Sequence, residues 1–161
     1  DMLKAQFNTD KKLVLSIKNY QVFFDTTAIE EANIDYAAVK QSVVNRLKKE
    51  HDVHYAFDME KTSTESIPEQ LKFRAINGYN RERSGGVQVV LKPAHYEYYS
   101  PKGTSHGAWN PYDIHIPCLF MGWHIQHGAT TQPHFMTDIA ATVCALLHIQ
   151  APNGCIGTPI F

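Results

Sequence analysis

One histidine of this chain, His106, lies in a loop whose composition suits the presentation of a metal ligand. The loop reads Gly-Thr-Ser-His-Gly from Gly103 to Gly107. Its two glycines lack a Cβ and relax the backbone on both sides of the imidazole. A neutral imidazole is a common metal ligand, and such a loop can hold one at the mouth of a sheet. On spacing alone, an ordinary loop histidine is the simpler interpretation.

A second group of histidines lies further along the chain. It comprises His115, His124, His127 and His134, within twenty residues. His124 and His127 are three residues apart and could share a metal on a helix, but nearby glycines and a proline argue against a helix there. No carboxylate or cysteine completes the set. This group supports an alternative hypothesis, an independent metal-binding or interaction module, which would bind zinc tightly and melt on chelation.

Several short segments in the last sixty residues, taken in order, resemble a known family. They are Gly-Thr-x-His-Gly at 103–107, Tyr-Asp-x-His-Ile-Pro at 112–117, Thr-Asp-Ile-Ala at 137–140, Pro-Asn-Gly at 152–154 and Gly-Thr-Pro-Ile at 157–160. Together they resemble the C-terminal signature of the alkaline phosphatase superfamily. The sequences of these segments are most similar to those of the secreted bacterial enzymes of the type I phosphodiesterase/nucleotide pyrophosphatase branch. Sulfatase, phosphonate hydrolase and phosphomutase branches stay open as alternatives.

The resemblance implies hydrolysis of phosphate esters with two zinc ions and a Ser or Thr nucleophile. Only His106 matches a metal ligand of the family, and Thr104 and Asn110 could support it through further contacts. The family's nucleophile segment, its Asp-x-x-x-His pair and its Asp-His pair have no counterpart here. A catalytic zinc site takes about three protein ligands. We therefore expect the C-terminal part of a longer hydrolase, inactive alone, whose partner is the remaining N-terminal part of the same polypeptide.

Some positions depart from the family's pattern. Ala108, Cys118, Ala141 and His148 replace residues that are usual there. None of them removes the histidine ligand, so the departures indicate a divergent member and leave the preference for monoesters or diesters open. The resemblance also implies a periplasmic or secreted parent protein.

Composition is that of an ordinary globular protein, with 43% hydrophobic and 19% charged residues. The net charge of −1 gives no indication of a nucleic-acid or anionic-membrane partner. No apolar run approaches the roughly 20 residues of a membrane helix, and no signal peptide is recognisable. Because the chain opens on Asp1 and not on Met, we expect an end made by cleavage or by cloning. An odd count of three cysteines argues against a complete disulfide framework, and Cys118 and Cys144 are expected to be buried thiols.

The first half of the chain predicts a hairpin, a helix and a strand. Alternating apolar residues at 13–17 and 20–24, with a polar break between them, are typical of a β-hairpin. Asp35 can cap a helix whose apolar stripe runs from Tyr36 to Leu47. Val53, Tyr55 and Phe57 then alternate as a third strand.

The second half predicts two strands and two helices. Ser66 and Glu69 have the spacing of a capping box before a short helix that ends at Asn77-Gly78. The apolar run 87–91 predicts a central strand and the run 116–121 predicts another. A final helix is capped by Thr137 or Asp138. Its predicted buried stripe comprises Ile139, Val143, Leu146 and Leu147.

Strands and helices alternate throughout, which favours a layered α/β arrangement. By resemblance, this is the C-terminal portion of an alkaline-phosphatase-like α/β/α fold with a small α+β portion at its N-terminal end. We expect that portion to span residues 1–92. Residues 93–161 would return to the metallophosphatase core and deliver His106 to the metals.

Overall fold

A four-stranded antiparallel sheet organises the computed structural model, which describes residues 2–97, 103 and 106–161. Its order is β1-β2-β4-β3. The strands are β1 Val14–Lys18, β2 Gln21–Phe24, β3 Val53–Asp58 and β4 Val87–Leu91. The helices are α1 Met2–Gln6, α2 Thr26–Glu31, α3 Tyr36–Leu47, α4 Glu69–Gly78, α5 Pro111–Ile114 and α6 Asp138–Leu147, with a 3₁₀ helix at Met59–Thr64.

The described chain forms two compact units, Asp1–Ile116 and Pro117–Phe161. The sheet and the first five helices belong to the first unit, and α6 belongs to the second. The predicted division after residue 92 stays a prediction. No helix among the described residues is both long and apolar enough to cross a membrane.

The predicted elements of the first unit are confirmed. β1 and β2 form the hairpin, and β4 lies between β2 and β3 as the predicted central strand. Asp35 caps α3 by accepting hydrogen bonds from the backbone amides of Ala37 and Ala38. Helix α3 packs on β3 and β4, and its buried Val39 and Val43 lie in the core with Val22, Phe24 and Val87 among others.

The capping box predicted for α4 is wrong. The helix begins at Glu69, two residues later than a cap at Ser66 would place it, with Pro68 at its N-cap position and no side chain bonded to the free amides. Proline favours an extended residue before it, which keeps Ser66 and Ile67 out of the first turn. Leu71 is buried within the helix, whereas Phe73 and Ile76 are about half exposed.

A charged side chain inside the core connects α3 to the end of β3. Lys40 is almost completely buried, and its Nζ lies 2.9 Å from Asp58 Oδ1 and 2.5 Å from Glu60 Oε2. Burial lowers the pKa of Lys40, but the hydrogen bonds with Glu60 and Asp58 outweigh that effect and hold it above its ordinary 10.5. The Lys40 bond likewise holds the pKa of Glu60 below its ordinary 4.5. The ammonium is therefore kept charged by its two partners.

The second unit departs most from the sequence-based expectations. Residues 116–121 form no strand, because no described segment pairs with them. Leu119 is 90% and Met121 99% exposed, whereas Phe120 is partly buried against the Phe161 ring. Cys118 is exposed as well, so its prediction as a buried thiol is wrong, whereas Cys144 and Cys155 are partly buried. All three cysteines are free.

Helix α6 exists as predicted but turns a different face inward. Asp138, Ala141 and Thr142 are buried, whereas Val143 and Leu147 of the predicted stripe are exposed. This face of the helix is buried because the C-terminal tail packs against it. Thr158 N donates to Asp138 Oδ1 at 3.0 Å, and Ile160 N donates to Thr142 Oγ1 at 3.1 Å.

The cap of α6 is also different from the expected one. Thr137 occupies the N-cap position in a helical conformation, and its side chain makes no capping bond. The Asp138 carboxylate instead accepts bonds from the amides of Phe135 and Thr158, which hold its pKa below the ordinary value. Asp138 thus connects the helix start to the tail.

The Glu60–Lys40 pair predicts a pH-dependent contribution to stability. Because folding lowers the pKa of Glu60, its carboxylate contributes fully to stability above pH 4.5. This contribution is lost as the pH falls through the lower pKa of the folded state. We expect Glu60→Gln to lower the free energy of unfolding at pH 7 by about 0.5–1 kcal/mol, since water screens the half-exposed carboxylate. The deficit should shrink below pH 4.5 in urea titrations followed by circular dichroism. Glu82→Gln, at an exposed position, is the control and should show no such deficit.

The close packing around Gly157 allows a steric test of how the C-terminal tail packs against the start of α6. A Cβ at this position would lie 2.0 Å from the backbone oxygen of Thr137. Gly157→Ala should therefore displace the tail and lower the free energy of unfolding of the second unit by about 1–3 kcal/mol. Hydrogen exchange of the Thr158 and Ile160 amides should accelerate. Gly128→Ala is the control, because a Cβ there meets nothing within 4 Å; equal effects of the two changes would contradict the packing described.

Candidate metal-binding site

The His106 loop has the glycine geometry that its sequence predicts. Gly103 and Gly107 have φ angles of 115° and 110°, a region that side-chain-bearing residues rarely adopt. A Cβ at Gly107 would also come within 3.1 Å of the Tyr20 ring. The loop therefore requires glycine after His106 for both backbone and packing reasons.

The imidazole of His106 is held by a carboxylate of the same loop. Its Nδ1 lies 2.8 Å from Asp113 Oδ1, and the Gly107 amide donates to Asp113 Oδ2 at 2.9 Å. A carboxylate only accepts hydrogen bonds when ionised, so the proton of this bond lies on Nδ1. This leaves the ring lone pair on Nε2, on a side chain that is 92% exposed.

Asp113 owes its position to the short helix α5. Asn110 stands at the N-cap and Pro111 at the first helical position, a placement that suits proline because its missing amide has no helical partner there. The Asn110 carbonyl accepts bonds from the amides of Asp113 and Ile114. This one turn returns the chain toward His106, and the Asp113 side chain is only 10% exposed.

The ionised form of Asp113 is favoured by its neighbours. The His106 hydrogen bond is the largest cause that holds the pKa of Asp113 below its ordinary value, and the amides of Gly107 and Ala108 act in the same direction. An ionised Asp113 keeps the proton of His106 on Nδ1. The carboxylate–imidazole pair thus matches the arrangement that orients histidine ligands in metal sites.

Aromatic and amide side chains anchor the loop to the first unit. The Trp109 ring packs against the buried cluster of Phe57, Met59, Leu71 and Val90. Tyr112 Oη accepts a bond from the Ala94 amide at 2.8 Å, which joins α5 to the turn after β4. Trp109 Nε1 is buried with no hydrogen-bond partner among the described residues. An unmade bond of this kind costs about 1–3 kcal/mol, so the ring's apolar packing must exceed that cost.

The supporting residues expected from the sequence fare differently. Thr104 lies outside the described residues. Asn110 is buried, but its side-chain amide donates to Tyr112 Oη at 3.1 Å. Asn110 therefore supports the loop and Asp113, and Asp113 is the residue that holds the imidazole.

Within the described part of the chain, a single group of three side chains has the geometry of a shared metal site. It consists of His51, Asp52 and His95, whose ligand atoms all lie within 4.8 Å of one another. The later histidines 124, 127 and 134 form no such group. His134 instead lies beside Asp138, with Nδ1 3.9 Å from Oδ2.

Sequence comparison finds similarity to two alkaline phosphatases. Alkaline phosphatase PafA of Elizabethkingia meningoseptica is 46% identical over 158 residues, which are 98% of this chain and 29% of PafA. Alkaline phosphatase PhoV of Synechococcus elongatus is 46% identical over 167 residues, which cover 99% of this chain and 30% of PhoV. Nearly the whole of this chain is therefore similar to under a third of each of these two alkaline phosphatases. A protein of Myroides odoratus named calcium-transporting ATPase is also similar, with 44% identity over 92% of this chain and 27% of its own length.

Structural comparison agrees with the sequence comparison. The crystal structure of wild-type alkaline phosphatase PafA matches with a TM-score of 0.93 and 45% identity, over 99% of this chain and 30% of that one. The predicted mixed α/β fold is therefore confirmed as that of a portion of an alkaline phosphatase. No family model matches the chain. This chain spans less than a third of the length of these relatives.

The sequence identifies His106 but not its carboxylate partner. Asp113 and His115 are two residues apart, a spacing that matches neither the Asp-x-x-x-His pair nor the Asp-His pair of the family, so no motif assigns Asp113 a role. Asn110-Pro111 was the available signal, since it predicts a helical turn that brings Asp113 back toward the loop. Sequence patterns miss the His51–Asp52–His95 group because His95 lies 43 residues beyond Asp52 along the chain, and the pairing of β3 with β4 brings them together.

The bond between His106 and Asp113 predicts one tautomer for His106. With the proton on Nδ1, ¹H–¹⁵N long-range NMR spectra of the neutral ring should show an unprotonated Nε2. Asp113→Asn removes the ionised acceptor and should shift the population toward the Nε2-H form that is usual for histidine side chains. Asp10→Asn, at an exposed position in another part of the first unit, is the control. An unchanged tautomer in Asp113→Asn would show that the carboxylate does not orient the ring.

Proposed function

We propose that this chain is the C-terminal part of a zinc-dependent phosphate-ester hydrolase and that His106 is one of its zinc ligands. The observation that carries the proposal is the 2.8 Å bond between His106 Nδ1 and Asp113 Oδ1, on a side chain that is 92% exposed. A histidine oriented through one nitrogen presents the other to a ligand. The identity to PafA and PhoV supports phosphate esters as the substrate class.

His106 alone cannot make a catalytic zinc site, which takes about three protein ligands and an open position. No group of three possible ligands that includes His106 occurs in the described ranges. The remaining ligands and the nucleophile would therefore come from the rest of a longer polypeptide. Zinc would supply a positive charge that stabilises the transferring phosphoryl group, and the role of this chain is to hold one imidazole in place.

Exposed apolar residues in the second unit support a missing partner surface. Leu119, Met121 and Trp123 are between 80% and 99% exposed. Together with Val143 and Leu147 on the outer side of α6, they leave large apolar side chains in water. Large exposed apolar surface is more common at interaction sites than elsewhere on soluble proteins. The partner we infer is the N-terminal remainder of the same polypeptide, since the chain spans about 30% of its relatives.

The parent protein is proposed to be periplasmic or secreted and to belong to the type I phosphodiesterase/nucleotide pyrophosphatase branch. Support for both comes from the sequence segments that resemble that branch. The groups that would distinguish monoesters from diesters contact the non-bridging phosphate oxygens. In that branch they lie outside the segments found here, so the proposal covers phosphate esters as a class.

A chimera tests the ligand role directly. In it, this chain replaces the matching 30% of PafA, and zinc content and p-nitrophenyl phosphate hydrolysis are measured. We expect an active, zinc-containing chimera in which His106→Ala lowers both by at least about tenfold. His127→Ala, at an exposed histidine without an assigned role, should leave both unchanged.

Two outcomes would contradict the proposal. Full zinc content and activity in the His106→Ala chimera would exclude the histidine as a ligand. Robust zinc-dependent hydrolysis by the isolated 161-residue chain, abolished by His106→Ala, would show that the site is complete within these residues. Circular dichroism of each variant separates loss of a ligand from loss of folding.

A further inference from the structure

A second cluster of imidazole and carboxylate groups lies at the edge of the sheet, away from the His106–Asp113 pair in sequence and in role. His51 and Asp52 are in the turn between α3 and β3, and His95 is in the turn after β4. His51 Nδ1 lies 2.7 Å and His95 Nε2 3.2 Å from Asp52 Oδ1. Two histidines from different turns therefore converge on one carboxylate oxygen.

The backbone fixes the two turns relative to each other. β3 and β4 are antiparallel, and Val53 pairs with Leu91 at this end of the sheet. The Lys92 amide then donates to the Asp52 carbonyl at 2.9 Å, which continues the ladder into both turns. The cluster is thus attached to paired strands on both sides, and its side chains converge without any rearrangement of the fold.

The orientation of His95 is the decisive observation. Its Nδ1 lies 3.0 Å from the Pro93 carbonyl oxygen, which can only accept a hydrogen bond. The Nδ1 proton is used there, so in the neutral ring Nε2 bears a lone pair. That lone pair faces Asp52 Oδ1, which is also an acceptor, at 3.2 Å. Two acceptors at this separation repel each other unless a proton or a metal cation lies between them.

We propose that His51, Asp52 and His95 bind a first-row divalent transition cation such as zinc. The three ligand atoms already lie within 4.8 Å of one another. Tetrahedral zinc with bonds of about 2.0–2.1 Å places its ligands roughly 3.4 Å apart, so small side-chain rotations complete the set. Imidazole nitrogen with carboxylate oxygen suits zinc, copper and nickel, and the Pro93 carbonyl orients His95 as outer partners orient metal-bound histidines. His51 and Asp52 are exposed, which leaves room for water as the fourth ligand.

The site does not depend on the proposed function of His106, and the experiment separates the two. All titrations use the His106→Ala chain, so the His106 loop contributes no ligand. Co²⁺ is added to ¹⁵N-labelled protein, and the loss of amide signals near the paramagnetic ion is mapped by NMR. Zinc affinity is measured in parallel by calorimetry for His51→Gln, His95→Gln and the control His54→Gln, which changes an exposed neighbouring histidine on β3.

We expect Co²⁺ to broaden the amides of residues 51–53 and 91–95 first. His51→Gln and His95→Gln should each weaken zinc binding by at least about tenfold, whereas His54→Gln should leave it unchanged. The spectra also show directly whether each variant is folded. Broadening that spares these two turns, or equal zinc affinity in all variants, would overturn the proposal and leave a proton as the only positive charge between His95 and Asp52.

Discussion

The antiparallel pairing of β3 with β4 is the interaction on which the described features of the first unit depend. At one end of the pair, Asp58 leaves β3 and receives the buried Lys40 from α3. At the other end, the bond from Lys92 to Asp52 holds together the two turns that carry His51 and His95. The chain that leaves β4 then leads to the His106 loop. Loss of this ladder would remove the backbone hydrogen bonds that hold together residues far apart in sequence.

The parts of the fold that the sequence predicts are those set by local patterns. Three local patterns predict their elements correctly: the alternation in 13–24, the Asp35 cap and the apolar run at 87–91. Each succeeds because the segments with which the element pairs or packs lie within the first unit. The run at 116–121 and the stripe on α6 carry equally clear apolar patterns. Both fail here because a strand needs a paired neighbour and a stripe needs a surface to cover it, and no described segment supplies either.

The candidate metal-binding site is likewise predictable from the sequence only in part. His106 is predictable from the glycines around it and from its resemblance to a family motif. Its orientation is not, because it depends on one helical turn that returns Asp113 to the loop. The buried Lys40 was equally inaccessible to sequence patterns. From the sequence alone, a lysine beside Val39 on a helix is expected to face solvent. Its burial follows only from the position of Asp58 and Glu60 next to it, since a buried charge requires partners of opposite charge.

The distance along the chain between His106 and Asp113 has a consequence for assembly. The imidazole and the carboxylate that orients it are seven residues apart and share one loop. Fixing a side chain in a single rotamer costs conformational entropy. That loss occurs here when the loop folds, before any distant segment of a longer polypeptide arrives. A ligand that reaches this histidine meets a ring already set in direction, so its binding free energy is not reduced by ordering the side chain.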